Sequence, residues 1–166
     1  MKHYRFLLVL LMFTVLSCSS DKEDNALDEA LIVGTWDATR LTVDDGTAND
    51  GAKNARDILD FLTAKDCYII SFTFKSDLSV TAHNSSNYIE INVNSAGTGL
   101  DIPCPVESDV EESTYEFDGS VLTLVDSEGG TILVDVEIDG DTMVVDASDL
   151  DIENFNEGGE LIFIRR

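Results

Sequence analysis

The chain has 166 residues, with 33 aspartates and glutamates against 10 lysines and arginines, a formal charge of −23. That length is one domain with volume for a single core, and so acidic a surface repels nucleic acid and anionic lipid headgroups. Neutral molecules, cations and metal ions stay open as partners, beside the plainer role of keeping a crowded protein soluble.

At the N-terminus Lys2 and Arg5 precede the uncharged apolar run Phe6 to Leu16, the charged and hydrophobic regions of a signal peptide over residues 1–17. The run is shorter than the about 20 apolar residues a membrane-spanning helix needs. It ends in Val15-Leu16-Ser17-Cys18, which resembles the lipobox cut just before a cysteine that carries lipid. On that resemblance Cys18 is acylated and ties the protein to a membrane, since each buried acyl CH₂ contributes about 0.8 kcal/mol. Residues 18–30 then form a tether, for Ser19-Ser20-Asp21-Lys22-Glu23-Asp24-Asn25 holds no apolar residue to bury. The same stretch is similar to the acidic export signal of surface lipoproteins of the Bacteroidota, which implies a lipid-anchored place on the outer membrane with display at the cell surface; a plain solvated linker is the alternative. Without the signal peptide, 8 lysines and arginines face 33 acids, a balance of −25.

From residue 31 to 166 the dominant period is two, the mark of half-buried strands. The first strand holds Ile32-Val33-Gly34-Thr35-Trp36. Trp36 shares a face with Ile32, Gly34 and Ala38, whereas Leu41 and Val43 fall on the opposite parity, so a bulge or bend near Thr39 is required to turn both sets inward. After the loop Asp44-Asp45-Gly46-Thr47, the apolar residues Ala55, Ile58, Leu59 and Leu62 recur at i, i+3, i+4 and i+7 with Phe61 beside them, which predicts one amphipathic helix over roughly residues 52 to 64. It either plugs one end of the fold or lies over a ligand entrance as a lid.

Strands resume with Tyr68, Ile70, Phe72 and Phe74, then Leu78 to Ala82, then Ile89, Ile91 and Val93. Further on come Tyr115 and Phe117, Val121 to Val125, and Ile132, Val134, Val136 and Ile138, followed by Thr142 to Asp146 and Glu160 to Arg165. The turns Lys75-Ser76-Asp77, Asp118-Gly119, Asp126-Ser127-Glu128-Gly129-Gly130 and Asp139-Gly140 punctuate them, and Asp-Gly or Gly-Gly between alternating runs signals a hairpin. The pattern is an antiparallel meander of about eight strands, hence a barrel or sandwich.

Cys67 and Cys104 remain once Cys18 is lipidated, and an even pair in an exported chain is most simply a disulfide. His83 is the single histidine of the mature chain and reads as a solvated strand residue. Asp149, Asp151, Glu153, Glu157 and Glu160 fall at positions 1, 3, 5, 9 and 12 of a window with the carboxylate spacing of a calcium loop. Asn154 stands where that loop requires glycine, so the window reads as a solvated acidic loop with no metal, and Glu107 to Glu112 as another exposed loop. No nucleophile elbow, histidine-carboxylate metal spacing or phosphate-binding glycine loop occurs, so no enzyme and no cofactor are expected.

The opening Gly34-Thr35-Trp36, with Arg165 or Arg166 at the end of the last strand, resembles the lipocalin-like proteins, and most closely the lipocalin-like lipoproteins of the Bacteroidota. The helical insert is long for that family's first loop, and its second motif has no counterpart here. The resemblance implies an all-β, up-and-down barrel of about eight strands, with the helix inserted between strands one and two. It also implies a latch of Gly34, Trp36 and Arg165, the cation lying over the indole at the closed end. The barrel interior, lined by Tyr68, Phe72, Phe74, Ile91, Tyr115, Phe117, Val134 and Val136, would hold a small apolar ligand. The competing expectation is a filled barrel whose exterior binds an envelope protein or glycan.

Overall fold

The computed structural model describes residues 28–93, 97, 99–125, 129–150 and 152–166. The signal peptide, Cys18, the acidic run after it, the turn residues 126–128 and Asp151 lie outside the described residues. Among those described, no helix is long and apolar enough to cross a membrane.

Residues 28–32 are helical, so the first strand, β1 (Gly34–Thr42), starts later than the apolar Ile32-Val33 pair suggests. It is followed by the helix α1 (Asp50–Thr63) and the strands β2 (Ile70–Phe74), β3 (Ser79–Asn84), β4 (Asn92–Val93) and β5 (Leu100–Asp101). The remaining strands are β6 (Asp109–Phe117), β7 (Val121–Val125), β8 (Thr131–Asp139), β9 (Thr142–Asp146) and β10 (Glu160–Arg165). Eight of them close into one antiparallel barrel in the order β1-β10-β9-β8-β7-β6-β3-β2. Each barrel strand pairs with the next barrel strand along the chain, and β10 returns to β1, so no edge is left open.

The bulge that the parity of β1 demands is present. Its register with β10 runs Ala38 to Phe163 and then Arg40 to Ile162, leaving Thr39 as the extra residue. Trp36, Ala38 and Leu41 are consequently all buried.

Two strand expectations are corrected. The alternating Ile89-Ile91-Val93 stretch is not a barrel wall: β4 pairs only with β5, outside the barrel, and Ile91, Val93 and Leu100 are exposed. Conversely, Asp109 to Glu112 are not loop but the first half of β6, paired with β3.

The two ends of the barrel differ. Tight turns at 75–78, 118–120 and 140–141 close one end, whereas the other carries the long connections from β1 to β2, from β3 to β6 and from β9 to β10. Aspartates shape several of these corners: Asp77, Asp118 and Asp146 each accept hydrogen bonds from the backbone N–H and hydroxyl of the serine two residues on. At Asp118 the Val121 N–H contributes most, and with it these bonds hold all three carboxyls below the usual aspartate range. Part of the acidity is thus turn chemistry.

In the first long connection, Asn49 caps α1 by accepting from the Ala52 N–H at 2.8 Å. The stripe Ala52, Ala55, Leu59 and Leu62 is buried, its last three residues in the same core cluster as the barrel strands, and α1 lies against β1. In the second, Cys67 and Cys104 form the expected disulfide, and Lys65 Nζ donates to the Ile102 carbonyl at 2.9 Å. The 85–108 excursion is thereby fastened beside the end of α1. The buried core runs from Ile32 to Phe163, with the disulfide inside those limits, so residues 28–166 carry a complete closed barrel that folds as one unit.

Candidate functional site

The closed half of the barrel is filled. Trp36 is fully buried, its indole N–H donates to the Ile32 carbonyl at 2.7 Å, and the Arg165 guanidinium lies 4.4 Å from its ring centroid. Arg165 also donates to the Leu31 carbonyl, so the latch expected of Gly34, Trp36 and Arg165 is assembled from both ends of the domain. Gly34 suits its place because its φ of +141° disfavours side chains, and it lies against the Arg165 stem. Beyond Trp36, Phe74 meets Tyr115 edge-on at 5.0 Å, and Phe72 lies 5.6 Å from Phe163. The Tyr115 hydroxyl donates to the Lys75 carbonyl at 2.9 Å.

Successive residues of β10's end grip opposite faces of β1. Where Arg165 turns onto Trp36, Arg166 forms an ion pair with Asp37, Nε to Oδ2 at 3.1 Å, and Asp37 is buried. Burial raises the Asp37 pKa above the ordinary value, against the opposing pull of Arg166. A carboxyl whose pKa is higher folded than unfolded adds stability while protonated, and that contribution is lost as pH rises through the folded value. Asp37→Asn is therefore expected to melt like the parent near pH 3 and about 2 °C or more above it at pH 7. Thermal melts at the two pH values check this, and a lower midpoint for the variant at pH 7 would show the ion pair to outweigh the burial cost.

The open half is hollow. A cavity of about 360 Å³ lies among β2, β3, β6, β7 and β8 and against Leu150, Ile152 and Glu153 of the last long connection. Its apolar wall is Ile70, Phe72, Val80, Ala82, Leu124, Ile132, Leu150 and Ile152; its polar lining is His83, Asn84, Asn87, Asp109, Glu111, Ser113 and Glu153. The register explains the mixture. Trp36 pairs with Phe72, Phe72 with Ala82 and Ala82 with Glu111, and paired residues share a face, so Glu111 points inward with the tryptophan. Asp109 and Ser113 share that face, alternating with it toward Tyr115 and Phe117. Asp109 is held by the Tyr88 hydroxyl at 2.7 Å and the Asn87 amide at 3.1 Å, which keeps the Tyr88 phenol above its usual pKa.

Of the eight interior residues expected from sequence, Phe72 lines this cavity. Phe74, Tyr115, Phe117, Val134 and Val136 point inward as expected but are buried in the filled half. Tyr68 and Ile91 are corrected: 41% and 54% exposed, they precede β2 and β4 and lie off the barrel's inner wall. The interior residues expected from sequence omit Ile70, Val80, Ala82, Leu124, Ile132, Leu150, Ile152 and all the polar lining. Continuing the parity of Phe117 and Tyr115 back through Ser113 to Asp109 finds three of these positions. None of the lining residues belongs to α1, so of the two expectations for the helix its packing matches the plug.

The window from Asp149 to Glu160 is dispersed by the fold. Asp149 lies in a short 3₁₀ turn, Glu153 lines the cavity, Glu157 packs against Gly51 of α1, and Glu160 opens β10. Among the described residues, no three His, Cys, Asp or Glu side chains are grouped to hold a metal ion. His83 pairs with Ser71 and Val110 on the outer parity and reaches the cavity rim.

An up-and-down barrel latched at one end and hollow at the other is a calyx, a container with the capacity for a small molecule. A family model for the lipocalin-like domain matches residues 32–145, and the chain belongs to that family. No curated protein matches it.

Proposed function

We propose that this is a lipid-anchored lipocalin-like binding protein of the outer membrane, which holds a small apolar ligand in the open half of its barrel and catalyses no reaction. The cavity carries the reading: a pit of about 360 Å³ with one apolar side, within a barrel whose other half is filled by buried side chains. A pit of that size suits one small molecule, and the polar side chains at its mouth would orient it. The order of charged region, apolar run, Ser17 and Cys18 supports the anchor.

Titrating residues 28–166 with an environment-sensitive apolar dye tests the ligand site. Saturable uptake near one equivalent is expected, and Ala82→Phe, which fills the pit from its wall, should weaken it about tenfold or more. Absent uptake would favour the other reading, a protein- or glycan-interaction module at the envelope. The anchor is tested by the mass of the full chain expressed in a bacterium: acyl mass on the parent and none on Cys18→Ala is the expected pair of results.

A further inference from the structure

We infer that the ligand carries a positive charge: the cavity is built for an apolar body ending in a protonated amine, and it disfavours the carboxylate of a fatty acid. This rests on the cavity being the binding site, as proposed above. The apolar side of the pit, with Phe72, Ala82 and Leu124, takes the body of the molecule. Around it stand Asp109, Glu111 and Glu153; against these three acids the lining holds one basic side chain, His83 at the rim, and no lysine or arginine.

Two of these acids are placed by the barrel itself. Asp109 and Glu111 occupy consecutive inward positions of β6, the row that deeper in the barrel is Tyr115 and Phe117. A strand whose inner face turns from aromatic to anionic changes from packing surface to site. Tyr88 and Asn87 hold the Asp109 carboxylate through both oxygens, whereas Glu111 and Glu153 take part in no ion pair among the described residues. Carboxylates around an apolar wall give the pit a negative potential, which favours a bound cation and disfavours an anion. The net charge of −23 extends the same preference to the approach of the ligand.

Calorimetric titration of residues 28–166 with octylamine, octanol and octanoate at pH 7 separates head group from body. Octylamine is expected to bind about tenfold more tightly than octanol, with octanoate weakest. Glu111→Gln, a change at an exposed side chain, should cut the preference for the amine over octanol to about threefold, and added salt should narrow it as well. Equal affinity for all three would overturn the charge inference and leave the apolar site standing. Binding of none would overturn both.

Discussion

Trp36→Ala is expected to destabilise the protein by about 3–5 kcal/mol, lowering its thermal midpoint by about 10 °C or more. The side chain is fully buried at the closed end, so its removal leaves a void that the rigid barrel wall fills poorly. It also strips the Ile32 carbonyl of its donor and leaves the Arg165 guanidinium without the ring it covers. Trp36→Phe separates these contributions, because it keeps most of the volume and loses the indole N–H; it should cost clearly less than alanine. Dye binding at the far end is expected to survive both changes below the midpoint. A midpoint left unchanged by Trp36→Ala would remove the latch from the account of stability.

The second large effect is expected from Cys67→Ser with Cys104→Ser. The cysteines are 37 residues apart, for which loop entropy in the unfolded chain gives about 3.5–4 kcal/mol of stabilisation. The loss should also be local. The disulfide and the Lys65 bond to Ile102 fasten the 85–108 excursion, whose β4 and β5 pair only with each other. Limited proteolysis of the variant should therefore cut first within 85–108 while the barrel persists. Simultaneous cutting throughout the chain would show the disulfide to support the barrel as a whole.

Most of the barrel was legible because alternation with a period of two is a direct imprint of one dry and one wet face. The strand limits Thr142–Asp146 and Glu160–Arg165 follow from it, and so does the bulge at Thr39, since a parity change in a strand with one buried side has few other solutions. The same signal misled at Ile89, Ile91 and Val93, because alternation says nothing about which strand, or which sheet, provides the partner. At β6 it failed for the opposite reason. Asp109 and Glu111 face a cavity rather than a packed core, so their inner face is polar and the hydrophobic imprint stops at Tyr115. The latch could be read from Gly34 and Trp36 through family resemblance, but the choice between Arg165 and Arg166 required the register, which sends one to each side of β1. The cavity itself was beyond reach of the sequence: filled and hollow halves use the same inward parity and differ only in the size and polarity of the side chains on it.

The described chain begins at the latched end, where Asp28 stands beside Gly119 and Arg165 reaches the Leu31 carbonyl. A lipid on Cys18 would thus hold the barrel by its base, through ten residues of chain that reach about 35 Å at most. On the proposed anchor, the mooring point and the mouth of the cup lie at opposite ends of the barrel, so the tether leaves the mouth unobstructed.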